Sequence, residues 1–509
     1  MSSLPCAIEG YSTPMIPTST IHDLLVIGGG INGVGIAADA AGRGLDVVLC
    51  EKRDLASATS SASTKPIHGG LRYLENYEFR LVREALSERE VLLRNAPHII
   101  TPMRFRLPHR PHLRPRWMIR AGLFLYDSLS RRVTLPASCS LQFGPDSPLV
   151  DSLHDGFEYS DAWVDDARLV VLLAMQAREK GACILVSTEC VAAREVDGLW
   201  YLLMRCNLTG AETELRARAL VNASGPWVDR VGRAVLPTRA HEGVRLVKGC
   251  HVVVPRLHAR PEAFLLQNSD GRVVFVIPYE QDFSLIGTTD EDYVGDPADA
   301  SISKAEIEYL LGISNECFKT KVSAADIVHH FAGVRPLLAS EEENASKVSR
   351  DYTLTLDIQG APLLTVYGGK ITTYRRLAES AMERLRQIFP QLPGRWTAQA
   401  PLPGGDFLNQ PQLLNSLQDN YPWLAPALLE RWVAHYGTRT HQLVGGATCM
   451  KDMGEDFGAG LYAREVEYLC TQEWAHSAED ILWRRSKLGL RLSAQQVARL
   501  AAWLEAHKA

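Results

Sequence analysis

The stretch LLVIGGGING, residues 24–33, decides the fold of this chain. Its apolar half stops at three glycines, and a helical pattern begins directly after them. This order predicts a buried strand, a tight turn and a helix whose free N–H groups point at phosphates. Gly28 permits the turn, Gly30 lets the backbone approach a pyrophosphate, and Gly33 lets the helix pack closely on the strand.

A second strand and an acidic residue complete the unit. The segment Asp46–Cys50 reads as a strand, and Glu51 follows eighteen residues after Gly33. A carboxylate at this place accepts hydrogen bonds from the ribose of a dinucleotide. The alternative, a glycine-rich turn in an ordinary α/β protein, explains the turn but not the acid. The unit therefore predicts an α/β fold with a Rossmann-like domain, and it leaves NAD and FAD open.

The bulk composition excludes several classes of protein. The chain has 509 residues, room for two or three domains, with 46% hydrophobic and 22% charged residues and a net charge of −5. This mild acidity gives no reason to expect a nucleic acid as partner. The ten cysteines form no CxxC pair and no Cys/His cluster at zinc spacing, so neither a metal site nor a disulfide framework is expected.

The first residues of the chain look unlike a targeting signal. They are polar, carry prolines and lack Lys and Arg up to Thr20, so residues 1–21 are predicted to be a disordered extension without a signal peptide. No apolar run approaches the ~18 residues that a membrane-spanning helix needs. We therefore expect no transmembrane helix.

The segment after the acid distinguishes between the two dinucleotides. The run TSSASTK, residues 59–65, continues into PIHGGLRY, residues 66–73. Hydroxyls, a cation and paired glycines directly after the ribose acid suit an extended FAD, although a solvated Ser-rich loop has the same composition. The candidate FAD contacts here are Ser60, Ser61, Lys65, His68 and Gly69.

Two later segments are predicted to return to the same cofactor. VNASGPW, residues 221–227, and VYGGKITTY, residues 366–374, each read as a strand, a glycine turn and a helix start. The second helix, predicted over Ile371–Phe389 with Arg375 on its polar side, directs its positive end at a flavin. Each segment taken alone is also compatible with an ordinary strand-to-helix turn. The candidate contacts are Gly225, Trp227, Gly368, Gly369 and Lys370.

A series of motifs in order, including GFEYSDAWVDDARLV, KGCHVVVP, IGTTD, AGVRPL, SRDYTL, YGGKITTYR and LWRRSK, resembles one family. The chain is similar to the FAD-dependent (aerobic, respiratory) glycerol-3-phosphate dehydrogenases, within the D-amino-acid-oxidase-like flavoproteins. The resemblance implies a Rossmann-like FAD-binding domain interleaved with an antiparallel-sheet substrate domain, plus a C-terminal helical domain. The expected bounds are residues 22–395 for the interleaved pair, with substrate parts at about 70–160 and 245–330, and residues 396–509 for the helical domain.

The resemblance also implies the reaction. An enzyme of this family oxidises sn-glycerol 3-phosphate to dihydroxyacetone phosphate and passes electrons through FAD to a membrane quinone. Transfer to O2 by an oxidase is the close alternative, which the residues do not separate. Amino-acid oxidation is disfavoured because several positions match phosphate-binding motifs, and an FAD-binding scaffold without turnover is disfavoured because the candidate catalytic residues are present.

The candidate substrate site follows from the same motifs. A phosphate dianion needs cations, and Arg offers a planar fork of donors where Lys offers a point charge. Arg335 is expected to hold the C2 oxygen, and His251 is favoured as the base, with Lys370 or water as alternatives. The residues expected to grip the phosphate are Arg72, Tyr73, Arg350 and Thr372.

The segment Val91–Tyr126 contains no acidic residue and seven arginines, and its last part, Trp117–Tyr126, mixes apolar and basic character as interfacial helices do. We interpret Arg94–Arg120 as a surface for anionic lipid. A basic face for the phosphate, or pairing with the acidic C-terminal segment, is the alternative explanation of the arginines. The family resemblance then implies a peripheral enzyme on the cytoplasmic face of the inner membrane, and a homodimer is compatible with the sequence.

Overall fold

The computed structural model describes residues 20–74, 77–110, 114–236, 243–338 and 351–507, without the side chain of Arg72. The extension predicted for residues 1–21 therefore lies almost wholly outside the described residues. Strand β1 already begins at Ile21.

Most strands belong to two large sheets. In chain order they are β1 (Ile21–Ile27), β2 (Val47–Cys50), β3 (Pro66–Ile67), β4 (Ile100–Pro108), β5 (Cys139–Gln142), β6 (Asp155–Val164), β7 (Cys183–Leu185), β8 (Thr188–Val196), β9 (Leu199–Cys206), β10 (Glu212–Asn222), β11 (Val244–Pro255), β12 (Ala263–Gln267), β13 (Val273–Tyr279), β14 (Phe283–Gly287), β15 (Glu291–Asp292), β16 (His329–Leu338), β17 (Tyr352–Asp357), β18 (Leu363–Gly368), β19 (Asp456–Gly458) and β20 (Leu461–Tyr462).

The helices surround these sheets and form most of the C-terminal part. In chain order they are α1 (Ile31–Gly42), α2 (Phe79–Asn95), α3 (Arg116–Ser128), α4 (Asp166–Glu179), α5 (Val228–Val235), α6 (Lys304–Cys317), α7 (Tyr374–Leu385), α8 (Gln410–Asn420), α9 (Pro426–Tyr436), α10 (Thr440–Val444), α11 (Ala463–Glu473) and α12 (Ala494–Ala506).

The first sheet confirms the predicted Rossmann-like unit. Strands β18, β10, β1, β2 and β7 lie side by side and parallel, while β17 and the hairpin β8–β9 add antiparallel edges. Side chains alternate between its faces, so Leu24 packs in the cluster with α1, α4 and α7, and Leu25 packs with Trp200 on the other face. Burial on both faces explains why β1 reads as a continuous apolar run.

The helix predicted over Ile371–Phe389 differs in two respects. It starts as a 3-10 turn, Ile371–Thr373, and α7 ends at Leu385. Arg375 was expected on the polar side, but it is 5% exposed because its guanidinium binds Glu88 of α2, at 2.6 and 2.7 Å, and also Glu379. The prediction that Arg375 lies on the exposed side of the helix is therefore wrong, because Glu88, far away in the sequence, binds it in the interior.

The second sheet runs in the order β15-β11-β14-β13-β12-β4-β6-β3, with β16 beside β11 and β5 beside β6. Its neighbours are antiparallel except β4 and β12, which are parallel. Helices α2 and α3 pack on one face and α6 on the other. The chain enters this sheet from the first one and returns to it, which is the interleaving that was expected.

The C-terminal helices have a core of their own. It includes Trp432 and Leu429, both fully buried, and it is joined to a two-stranded sheet of β19 and β20. A π-helical segment, Asp480–Arg485, brings the chain back to Asp54 in the loop after β2. Within the described ranges, no helix is long and apolar enough to cross a membrane.

Candidate active site

A cavity of about 990 Å³ lies between the two sheets. One side of it, which we call the glycine wall, contains Gly28, Gly30, Asn32 and Glu51 from the ends of β1 and β2 and the start of α1. The side that we call the charged wall contains Tyr73, Asp290, Arg335 and Lys370. Ligands of open α/β sheets bind outside the carboxyl ends of the parallel strands, which is where the glycine wall lies.

Backbone geometry shapes the glycine wall. Gly28 has φ +116°, and a Cβ there would lie 2.5 Å from the Ala223 carbonyl oxygen. A Cβ at Gly33 would lie 1.9 Å from the Gly28 oxygen, so Gly33 serves the packing of α1 on the turn and does not line the cavity. The chain can therefore close this turn only with glycine at both places.

The acid at the end of β2 is held by the backbone. Glu51 lines the cavity, and its carboxylate accepts hydrogen bonds from the N–H groups of Gly29, at 2.7 Å, and Arg53, at 2.9 Å. Burial raises the pKa of Glu51, and these two N–H groups offset part of that rise. The carboxylate is thus fixed in one orientation, as a ribose contact requires.

The Ser-rich loop, which we define as residues 51–65, lines the cavity with most of its length. Ser60 accepts a hydrogen bond from the Ile31 N–H at 3.0 Å, whereas the hydroxyl of Ser61 points to the Ala58 carbonyl and Ser61 does not line the cavity. Lys65 lines it, but its ammonium binds Asp166 at 2.8 and 2.9 Å. The polar groups of Ser61 and Lys65, both predicted to contact FAD, therefore bind other protein groups instead of pointing into the cavity.

Of four further residues predicted to contact FAD, three line the cavity and one does not. His68, Gly225 and Trp227 line the cavity, and the Trp227 indole donates to Asp296 at 2.9 Å. Gly69 does not line it, because its N–H donates to the Tyr126 hydroxyl at 2.8 Å within the second sheet's core.

The glycine pair after β18 meets the first helix. Gly368 and Gly369 line the cavity with φ +70° and +95°. The Asn32 amide donates to the Gly368 carbonyl at 3.1 Å and joins the two turns. Sequence reasoning missed Asn32, although it stands inside the quoted GGGING motif. Its signal is an amide beside the glycines, where a side chain can satisfy a turn carbonyl.

Opposite charges meet on the charged wall. The Arg335 guanidinium forms an ion pair with Asp290, and its second nitrogen lies 3.5 Å from the Thr288 hydroxyl. The Lys370 ammonium lies 3.8 Å from the centroid of the Tyr73 ring, a cation–π contact. Asp290 and Thr288 were not singled out, although both belong to the quoted IGTTD motif.

The remaining predicted substrate contacts are only partly described. Thr372 lines the cavity, and its hydroxyl accepts a long hydrogen bond from the His68 N–H at 3.4 Å. The side chain of Arg72 and the whole of Arg350 lie outside the described residues.

His251 takes an indirect position. It is 1% exposed, stacks on Phe331 and does not line the cavity. Its Nε2 lies 2.9 Å from the hydroxyl of Thr64, which does line the cavity. Burial, followed by the charges of Lys65 and Arg335, lowers the pKa of His251 well below its ordinary value. The imidazole is therefore neutral near pH 7 and reaches the cavity through Thr64.

Helix α3 exposes apolar residues beside the cavity. Trp117 is 69% and Phe124 67% exposed, while Met118 and Leu125 are exposed and also line the cavity. Tyr77, 80% exposed, lines it as well. The cavity thus opens next to an apolar surface, which we call the apolar rim.

Several arginines of the predicted lipid surface are paired. Arg104 and Arg106 bind Glu158 of β6 at 2.8 and 2.9 Å. The other pairs are Arg106 with Glu262, Arg110 with Glu316 and Arg116 with Asp155. The acids come from the second sheet and its helix, not from the C-terminal segment. Pairing reduces the positive field of this segment.

Comparisons with known proteins show the family of this chain. Residues 23–375 match the family model described as FAD dependent oxidoreductase, and residues 395–506 match the C-terminal domain of alpha-glycerophosphate oxidase. A glycerol-3-phosphate dehydrogenase of Pseudomonas aeruginosa is 57% identical over 97% of both chains, and a D-erythritol 1-phosphate dehydrogenase of Brucella abortus is 52% identical over 95% of this chain and 97% of its own.

A solved structure shows the same fold. The glycerol-3-phosphate dehydrogenase of Bacillus halodurans, in complex with FAD, superposes with a TM-score of 0.74 at 26% identity, over 96% of this chain and 95% of that one. The glycine turns, the fixed acid and the cavity volume of the present chain fit an extended dinucleotide of this kind.

Proposed function

The chain belongs to the family of FAD-dependent oxidoreductases, and on that premise we propose that it oxidises sn-glycerol 3-phosphate to dihydroxyacetone phosphate. The observation that carries the proposal is that Arg335 and Lys370 both line the cavity whose glycine turns fit FAD. Two cations suit an oxyanion and a phosphate. The 57% identical relative is named for the same activity.

The residues of the charged wall are proposed to bind different parts of the substrate. FAD, when bound, supplies the acceptor for the hydride that leaves C2. Arg335, oriented by Asp290, donates hydrogen bonds to the C2 oxygen as that oxygen becomes more negative. Lys370, held over Tyr73, binds the phosphate, and Thr372 contributes a hydroxyl. Arg72 and Arg350 remain proposed phosphate contacts on the strength of their motifs alone.

The proton of the C2 hydroxyl leaves by a two-step path in this proposal. The Thr64 hydroxyl accepts it and passes its own proton to Nε2 of His251, 2.9 Å away. Two of the influences that lower the His251 pKa are the cations Lys65 and Arg335. A bound phosphate dianion opposes these cations and so makes the imidazole a better proton acceptor.

The electron acceptor is proposed to be a membrane quinone. The apolar rim lies where the cavity opens, so a lipid-soluble acceptor can approach the reaction site from a membrane surface. We propose that insertion of the rim provides most of the membrane affinity, and that the exposed Arg120 beside it adds attraction to anionic headgroups. Residues 22–395 and 396–509 are proposed as the interleaved core and the helical domain.

Liposome flotation tests the membrane proposal. Changing both Trp117 and Phe124 to Glu should abolish binding to anionic vesicles, while Val294→Glu, at a residue 98% exposed elsewhere, should not. Wild-type binding should survive high salt if the rim dominates. Loss of binding in salt alone, with the Glu variants unaffected, would assign the affinity to the arginines.

Anaerobic mixing tests the reaction itself. Purified holoenzyme mixed with glycerol 3-phosphate should lose its visible flavin absorbance, and a quinone analogue should restore it faster than O2 does. Because a relative of similar identity is named for D-erythritol 1-phosphate, that compound is the second candidate substrate and should be compared at equal concentration. Absence of bleaching with glycerol 3-phosphate contradicts the proposal, and faster recovery with O2 would favour an oxidase.

A further inference from the structure

The Ser-rich loop has cavities on both sides. One face lines the FAD cavity, and a second cavity of about 210 Å³ lies between the loop, strand β16 and the segment 483–487. Arg53, Ser57, Thr59 and Lys65 contact both cavities. Close packing normally fixes a loop, and a cavity removes part of that packing. The position of this loop therefore depends on other contacts.

Asp54 supplies the first of these contacts. It does not line the FAD cavity, and its side chain is 6% exposed. The carboxylate accepts a hydrogen bond from Arg484 at 2.5 Å and two from the fork of Arg485, both at 2.8 Å. Burial alone would raise the pKa of Asp54, but Arg485 and Arg484 reverse this and lower it. The carboxylate is thus charged and firmly bound.

The other end of the loop is tied to the same segment through α4. Asp166 accepts hydrogen bonds from the hydroxyl of Ser63, at 2.6 Å, and from Lys65. The neighbouring residue, Asp165, accepts from Lys487 at 3.0 and 3.2 Å. Both ends of the loop therefore reach residues 484–487, one directly and one through the first turn of a helix.

The segment 484–487 is itself held rigidly. Arg485 is fully buried and donates to the Glu473 carbonyl at 2.6 and 3.2 Å. Glu473, at the end of α11, forms a buried ion pair with Arg168 of α4. Removing one partner of a buried ion pair strongly destabilises the fold, because the remaining charge has neither a partner nor solvent around it. The loop is consequently anchored to a buried part of the chain that is itself bound at several points.

We propose that Arg484, Arg485 and Lys487 are positioning residues for FAD: they hold the Ser-rich loop in the conformation that binds the cofactor, although Arg485 does not touch the FAD cavity. The C-terminal part of the chain thereby sets cofactor affinity. This inference depends on the FAD site and not on which phosphate ester is the substrate.

The test is the rate at which holoenzyme releases FAD after dilution, followed by the return of flavin fluorescence. The Arg485→Gln variant should release FAD roughly tenfold faster or more, because the buried carboxylate of Asp54 would then be paired with Arg484 alone. Arg485→Lys, which keeps the charge and loses the fork, should fall between Gln and wild type. At saturating FAD, the KM for glycerol 3-phosphate should stay unchanged in both variants.

Arg431→Gln is the matched control. Arg431 forms a comparable pair with buried Glu465, at 2.6 Å, inside the C-terminal core and without contact to the loop. It should lower the melting temperature without speeding FAD release. Equal release rates for Arg431→Gln and Arg485→Gln at equal loss of melting temperature would overturn the proposal, because the effect would then be general destabilisation.

A double-mutant cycle gives a second, independent measure. Asp54→Asn and Arg485→Gln should each speed release, and the double variant should be no worse than the more severe single one. Fully additive effects would show that the two residues act separately. If Arg485→Gln does not fold, Lys487→Met tests the other tie of the loop, because it breaks the contact to Asp165 and leaves Asp54 bound. It should speed FAD release more than Arg431→Gln does, and release no faster than that control would overturn the proposal.

Discussion

The two walls of the FAD cavity are built by different means. The glycine wall depends on absent side chains: a Cβ at Gly28, or at Gly33 which packs behind the wall on the Gly28 turn, would meet a backbone oxygen. The charged wall depends on side chains that restrain each other, as Asp290 restrains Arg335 and Tyr73 restrains Lys370. The first wall should tolerate almost no substitution and set cofactor binding, and the second should tolerate substitution structurally and set turnover.

The largest expected effect breaks the glycine wall. Gly33→Ala places a Cβ 1.9 Å from the Gly28 oxygen, and neither backbone can retreat. FAD affinity should fall by roughly a hundredfold or more, equivalent to ~3 kcal/mol. Flavin content of the purified protein measures this. Gly312→Ala in α6, where no atom lies within 4 Å, should keep full flavin content. A Gly33→Ala enzyme that retains FAD would refute the proposed role of this wall.

The next effect falls on the charged wall. Arg335→Lys keeps the charge but loses the fork that serves both Asp290 and the substrate oxygen, so kcat/KM should fall roughly a hundredfold. The flavin spectrum should not change. Arg245→Lys, on β11 and paired with Asp292 outside the cavity, should leave both quantities unchanged. Loss of FAD from Arg335→Lys would show that the walls are not separable.

A smaller effect concerns pH. In the proposed mechanism His251 must be neutral to accept the proton, and its pKa is lowered well below 6.5 by burial, Lys65 and Arg335. Activity should therefore hold as pH falls through 6.5 and decline only at lower pH. Arg335→Gln removes one of the lowering charges and should move the acid limb of kcat/KM upward by about one unit or less. A limb that starts above pH 6.5 in the wild type, after correction for the second ionisation of the substrate phosphate, would exclude His251 as the acceptor.

The smallest effect tests the link between the two glycine turns. Asn32→Ala removes the hydrogen bond to the Gly368 carbonyl and should weaken FAD binding only several-fold, about 1 kcal/mol. Titration of the apoenzyme with FAD measures it. Asn420→Ala, at the exposed end of α8, is the control. No change in Asn32→Ala would mean that the turns are fixed independently.

Local spacing made the glycine wall predictable from sequence. Strand, turn, helix and acid lie within about thirty residues, and each role follows from backbone sterics. Lys65 was predicted as an FAD contact, yet its ammonium is bound by Asp166, a hundred and one residues away. The burial of His251 behind Thr64 and the pairing of Arg104 with Glu158 are also long-range outcomes. The partners of these residues lie far away in the sequence and outside any local motif. The motifs therefore predicted the residues but could not predict their contacts.

The ion pair between Asp54 and Arg485 has a consequence for biosynthesis. These residues stand 431 positions apart, so the loop is synthesised long before Arg485 is. Strands β10 and β18, which complete the parallel sheet, also emerge late. A nascent chain can form the β1–α1–β2 unit early and can tie the loop to it through Ser60 and the Ile31 N–H, but the contacts of Asp54 with Arg484 and Arg485 form only after those arginines are made. On the proposed role of Arg485, firm retention of FAD requires synthesis of the chain through residue 485.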